Sequence, residues 1–212
     1  MWAYIKDNKI EQIYQRPKSL VLGEVRYPSN MFTKYTDAEK AAIGIYPVED
    51  SGTKGDDRFE YTSQATYTWS ASDKKVTTSY TITEKSLVDI EAKDEDGNNI
   101  LDEKGNKTYT YGLKTQAKNL AKQQANSYIK QFNWLVERSI YDSSKAIPDA
   151  VKTYVAAIKT DCTEIETAID SASDMTAFKA LYQDTFNSDG SVNVVARINR
   201  WSDDYDVQQY VR

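Results

Sequence analysis

The stretch "DEKGNKTYTYGLKTQAKNLAKQQANSYIKQF", residues 102–132, decides the fold, because the spacing of its apolar residues changes in the middle. Up to Gly112 the pattern alternates, with Thr and Tyr taking turns, as in a half-buried strand. From Leu113 the spacing becomes helical: Leu113, Ala117, Leu120, Ala121, Tyr128 and Ile129 fall near one face, with Lys and Gln elsewhere. A β-rich half, 1–112, is therefore expected to precede a helical region, 113–187, giving an α+β chain. An extended docking tail, 188–212, closes it.

Working outward, helical spacing continues. A second helix is expected from about Trp134 to Tyr141, or as a continuation of the first. A third opens at Pro148-Asp149 and carries Val151, Val155, Ile158, Cys162, Ile165 and Ile169 on one stripe. A short fourth spans Met175 to Tyr182, with Phe178 and Leu181 inward. Towards the N-terminus, residues 1–50 read as a small β module with one short helix. Its opening hairpin, WAYIK–DNK–IEQIYQ, places Trp2, Tyr4, Ile10, Ile13 and Tyr14 on its apolar side. In its helix, Thr36 or Asp37 is the N-cap, Glu39 a first-turn acid and Gly44 the stop. The polar loop 49–57 separates this module from a β-hairpin region, 51–112, which ends in acidic turns at Asp96-Gly97 and Gly105-Asn106.

Composition restricts function. The chain has 212 residues with 27 basic and 32 acidic side chains interspersed, so it offers no basic stripe for nucleic acid. No apolar run has the length of a signal peptide or membrane span, so the expectation is a protein made in a cytoplasm, soluble and not inserted in a membrane. The lone Cys162 can form no intramolecular disulfide. The chain contains 16 Tyr and no His. Tyr combines a rigid apolar body with a polar tip and suits protein interfaces. Lack of His removes the commonest acid–base group and the commonest metal ligand.

Candidates for chemistry fail on spacing. "DEDGNN", 94–99, suggests a calcium loop, but aligning Gly97 with the loop glycine puts Ala92 at the first ligand position. Carboxylate pairs such as Asp102/Glu103, Glu164/Glu166 and Asp203/Asp204 read as solvated faces. Cys162 lies on an apolar stripe, where an inert thiol is expected. No phosphate loop, paired-Cys zinc spacing or nucleotide fingerprint is present. We therefore expect a non-enzyme with neither cofactor nor metal.

"PKSLVLGEVRYPSNMFTKYTDAEKAAIGIYPV", residues 17–48, resembles the N-terminal segment of proteins encoded in the tail and tail-fibre regions of tailed bacteriophages, many of them marine and cyanobacterial phages. Those proteins carry a Pro-x-x-Phe, polar, Thr/Ser-Asp-x-Glu, Ala-x-Gly-Ile pattern. Residues 113–182 are similar to a tail assembly chaperone-like helical region of the same proteins. Leu113-Lys114, Trp134, Arg138, Ile147-Pro148, Tyr154, Lys159 and Leu181-Tyr182 carry the match. Asn133 stands where the pattern has Asp, and Val155-Ala156 where it has Arg.

The resemblance implies a structural component of a phage tail, associated with fibre, baseplate or adaptor, multi-copy or homo-oligomeric, in contact with other tail or tail-fibre proteins. The alternative it leaves open is a tail-fibre assembly chaperone that releases its client, and more remotely a glycan-degrading tail enzyme. For partner contact we single out Ala117, Ala121 and Ala125, which recur every four residues, together with Tyr128, Trp134, Arg138, Trp201 and Tyr205. The three Ala would let helix axes approach closely across an outer face, or favour helix formation against the chain's own third helix. Trp134 reads equally as a helix-junction anchor with Arg138 lying over its ring.

Overall fold

A computed structural model describes residues 1–203 and 205–211, without the Tyr205 side chain. The fold is α+β, β-rich at first and then helical, and divides into two compact units, residues 1–83 and 84 onward.

The first unit begins with β1 (Trp2–Lys6) and β2 (Lys9–Tyr14), joined by a two-residue turn in which Asp7 and Asn8 are both left-handed, at φ 50° and 63°. Two positive-φ residues make a turn whose twist matches that of the strands, which favours Asp and Asn there. A short hairpin follows, β3 (Leu20–Leu22) and β4 (Val25–Tyr27), then two helical segments, α1 (Met31–Lys34) and α2 (Asp37–Ala42). Thr36 and Glu39 form a reciprocal capping box at the start of α2, and Gly44 follows its C-terminal cap at φ 80°. The next strands are β5 (Ile45–Glu49), β6 (Glu60–Thr62), β7 (Thr66–Ser70), β8 (Lys75–Ser79) and β9 (Ile82–Glu84).

Five of these strands form one sheet in the order β2-β1-β5-β8-β7, and β6 pairs with β9. All recorded neighbours in the five-stranded sheet are antiparallel except β5 and β8, which run parallel with Val48 opposite Val76. That pairing overturns the expected break at residue 50. Glu49 also forms an ion pair with Lys75 at 2.8 Å, and Asp50 accepts a 2.7 Å bond from the Thr78 hydroxyl, so the chain on both sides of the polar loop belongs to one sheet.

Both faces of the sheet are apolar. On one, Trp2 and Tyr14 pack against Phe32, with ring centroids 4.7 and 5.6 Å away, beside Met31, Leu20 and Ile45. On the other, Ala3, Val48 and Val76 are buried among Ile5, Ile10, Ile13, Tyr67 and Trp69. The edge strands β2 and β7 meet over this second cluster, where the Trp69 indole N–H donates to Asn8 Oδ1 at 2.8 Å. The single apolar side expected for the first hairpin is thus divided: Trp2, Tyr4 and Tyr14 serve one core, Ile10 and Ile13 the other.

In the second unit, β10 (Ile90–Glu91) and β11 (Tyr109–Thr110) pair just before α3 (Leu113–Lys130). The first turn of α3 is capped by the preceding chain. Leu113 N–H donates to the Ser86 carbonyl at 2.9 Å, and Gly112 N–H to the Asp89 carboxylate at 2.8 Å. A Cβ at Gly112 would stand 2.4 Å from the Val88 backbone, so this close approach requires glycine. The expected change from strand to helix at Gly112 is where α3 begins. A break at Phe132 separates α3 from α4 (Asn133–Tyr141), and α5 (Asp149–Ser171) and α6 (Met175–Ala180) follow.

Helices α3 and α5 pack antiparallel. Lys118 pairs with Asp170 at 2.8 Å and Lys122 with Glu166 at 2.9 Å, and the Phe132 and Tyr154 rings meet edge-on at 5.8 Å. The buried stripe of α5 is Val151, Tyr154, Ile158, Cys162, Ile165 and Ile169, so Tyr154 takes the place expected for the half-buried Val155. Each fully buried Ile of that stripe contributes roughly 1.5–3 kcal/mol.

The Ala stripe of α3 is corrected here. Ala117, Ala121 and Ala125 are 4%, 1% and 7% exposed, and the ion-pair register sets them opposite the Ile-rich stripe of α5. The close helix approach that small residues permit is made within the chain and not on an outer face.

The expected boundary at 187/188 also moves. It falls in the turn of a hairpin formed by β12 (Thr185–Phe186) and β13 (Val192–Val194). Beyond it the chain is not extended throughout: short 3-10 turns occur at Arg197–Asn199 and Tyr205–Tyr210, and Ile198 and Val207 are buried.

Enlarging a side chain in the tight α3–α5 contact should strain it. We expect Ala121→Leu to lower unfolding free energy by about 1–3 kcal/mol, seen as a lower urea midpoint with an unchanged slope. A wild-type midpoint would place Ala121 in a space that accommodates leucine.

Candidate protein-interaction surface

The residues singled out for partner contact are largely engaged within the chain. Besides the three buried Ala, Tyr128 stacks at a tilt on Trp201 with centroids 5.5 Å apart. The Trp134 indole N–H donates to the Tyr210 carbonyl at 3.0 Å, and the Arg138 guanidinium lies 5.1 Å from the Trp134 ring centre. Two polar contacts hold the same returning segment: Ser202 N–H donates to Asp161 at 2.6 Å, and Arg197 pairs with Glu164 at 2.7 Å. Tyr128, Trp134 and Trp201 therefore clamp the C-terminal segment onto the helices, with Arg138 over the Trp134 ring. The side chain of Tyr205 lies outside the described residues.

Apolar side chains are uncovered in several places, among them Val21 and Val25 on β3–β4 and Phe186 and Val192 on β12–β13; two more adjoin a groove or a sequence repeat. On α4, Ile140 is 74% and Tyr141 90% exposed, next to a groove of about 140 Å³ lined by Ile129, Phe132, Val136, Ile147, Val151, Lys152 and Val155. The second is residues 88–111, where the sequence repeats every eight residues. Asp94-x-x-Gly97-Asn98 is followed by Asp102-x-x-Gly105-Asn106.

In each copy of the repeat, the Asp carboxylate accepts the backbone N–H of the Asn four residues on at 2.8 Å, and that of the residue two on at 2.9–3.0 Å. The glycine sits left-handed, at φ 84° and 81°, which a β-carbon disfavours. Each copy thus closes a tight hairpin, with bridges at Lys93–Asn99 and Leu101–Lys107. Together with the β10–β11 pair they make three two-stranded arms meeting at a central triangle. There Ala92 N–H donates to the Thr108 carbonyl, Ile100 N–H to Ala92, and Thr108 N–H to Ile100, each at 2.9 Å.

Alternation along the arms sorts the side chains into two faces. One carries Ile90, Ala92, Ile100, Thr108 and Thr110. The other carries Glu91, Lys93, Leu101, Lys107, Tyr109 and Tyr111, including the 2.7 Å Glu91–Lys107 ion pair. Between the turns the first face has no charged residue, and its Ile90 and Ile100 are 53% and 44% exposed; on the other face Leu101 is 55% exposed among charged neighbours. An antiparallel sheet ordinarily turns an apolar face to a core and a charged face to water. Here the apolar face is open.

Bonding from the Asn98 backbone N–H, with smaller help from its side chain and neighbouring amides, holds the Asp94 carboxyl below its usual value. Asn106 does the same for Asp102. Burial pushes the Cys162 thiol up. Among the described residues no group of three or more Cys, Asp and Glu is placed to hold a metal ion, and no helix is long and apolar enough to cross a membrane. The α4 end and the three-arm junction were missed as surfaces in the sequence reading, although the eight-residue Asp-x-x-Gly-Asn repeat was a visible signal for the second. No family model, curated protein or solved structure matches the chain.

The lowered carboxyl values set the sign of a pH effect. A depressed folded value gives stability that is present above the unfolded value, 3.8, and lost as pH falls through the folded one. We expect the Asn98 and Asn106 amide resonances to titrate with midpoints below 3.8 and to stop titrating with Asp94 and Asp102 in Asp94→Asn and Asp102→Asn. Midpoints at or above that value would contradict the turn geometry.

Proposed function

We propose that this protein is a non-enzymatic structural component of a bacteriophage tail that works by protein–protein contact in the virion. The uncharged, open face of the three-arm junction carries the contact part of this reading. Ile90 and Ile100 stand exposed on a frame whose backbone is already hydrogen-bonded, a small apolar surface of the kind a partner covers. The tail assignment rests on the resemblance of residues 17–48 and 113–182 to tail-region proteins. The absence of His from the sequence is consistent with a role outside acid–base catalysis.

Mass spectrometry of density-banded phage particles tests the proposal. The expected outcome is peptides of this chain in constant ratio to known tail proteins across preparations. Peptides confined to the infected-cell lysate would contradict it and favour an assembly chaperone that releases its client.

A further inference from the structure

Residues 88–111 contain seven carboxylates and three lysines, a net of −4 out of the chain's −5. Between the turns none of these charges stands on the face formed by Ile90, Ala92, Ile100, Thr108 and Thr110; Asp94 and Asp102 border it where the two arms end. The others lie on the opposite face or at the turn tips, where Glu95, Asp96 and Glu103 are exposed. An apolar floor is thus bordered by a negative rim.

We propose that this face docks another protein whose apolar contact strip is bordered by lysine or arginine. The inference rests on the protein-contact reading above but not on the virion assignment. Charge selects the partner, because complementary rims favour encounter and like-charged ones oppose it. A second copy would bring its own −4 against this −4. Area argues the same way. Three short arms about 4.8 Å apart, each a few residues long, offer roughly 200–300 Å². A stable dimer covers about 800 Å² per subunit. A face this small needs the rim's electrostatic contribution, which a like-charged copy cannot supply. The frame is ready for docking: its backbone is already fixed by the central triangle and the Asp turns, so little ordering remains to oppose binding.

The test uses the full chain and a fluorescein-labelled peptide of about ten residues alternating Val and Lys, a strand-former with one apolar and one basic edge. Its Val–Glu twin is the control. The Lys peptide should bind at least about tenfold tighter than the twin and weaken as salt rises. Replacing Ile90 and Ile100 together by Ser should reduce that binding about fivefold or more, while Leu101→Ser on the opposite face leaves it unchanged. Ile100→Thr, which keeps strand preference, should show the same loss in part and serves if the double variant unfolds. Neutralising the rim with Glu95→Gln, Asp96→Asn and Glu103→Gln should weaken binding and flatten its salt dependence.

Unchanged binding in the Ile variants would overturn the proposal, because the peptide would then be held by charge alone. Equal binding of the Val–Glu twin would overturn it as well. So would sedimentation velocity that shows a wild-type dimer abolished by the Ile substitutions, since the occupant would then be a second copy. Loss of the chain from phage particles with peptide binding intact would count against the tail assignment only.

Discussion

The three-arm junction has to satisfy its backbone without an interior, and the functional account depends on that constraint. Ala92, Ile100 and Thr108 pass one 2.9 Å backbone bond each around a triangle, and two Asp carboxylates close the flanking turns. Hydrogen bonds do here what side-chain burial does in most small sheets, since an isolated hairpin is marginal in water. The side chains are consequently left over. On one face they mix charge with Leu101 and Tyr109; on the other, between the turns, they are uncharged, with Ile90 and Ile100 exposed.

The junction is anchored to the helical unit. The irregular segment leading into it supplies the Ser86 carbonyl and the Asp89 carboxylate that cap α3, and Gly112 admits the Val88 backbone at the crossing. From there α3 and α5 lie close because Ala117, Ala121 and Ala125 give room to the Ile stripe opposite. Ion pairs at Lys118–Asp170 and Lys122–Glu166 border that contact, but exposed pairs of this kind contribute only about 0–1 kcal/mol each. Burial holds the helices together and the charges set their register. Trp134 and Trp201 then fix the returning C-terminal segment, so aromatic side chains that suggested an outer interface close the unit on itself.

What was legible in the sequence was local. The change of period at Gly112, the helix start at Thr36 or Asp37, the turn within residues 7–9 and most of the stripe of α5 all depend on residues within a few positions of one another. The parallel contact between β5 and β8 was not legible, because it joins Val48 to Val76 across a polar loop that reads as a linker. Nor was the two-sided sheet: Ile10 and Tyr14 look equally apolar in a string, and only the curl that brings β2 to β7 assigns them to different cores. The Ala repeat was visible but ambiguous, since small residues at that spacing suit a partner helix or the chain's own. The eight-residue repeat was visible too, but its cyclic pairing depends on three segments meeting at once.

The account's central claim is that the uncharged face of the junction, and not the charged one behind it, meets another protein. Site-specific photo-cross-linking during phage production tests this most directly, with benzoylphenylalanine placed at Ile100 in one chain and at Lys107, on the opposite face, in another. The account predicts a discrete cross-linked product with a second protein from position 100 and little or none from position 107. Equal products from both positions, or a product at 107 alone, would contradict it.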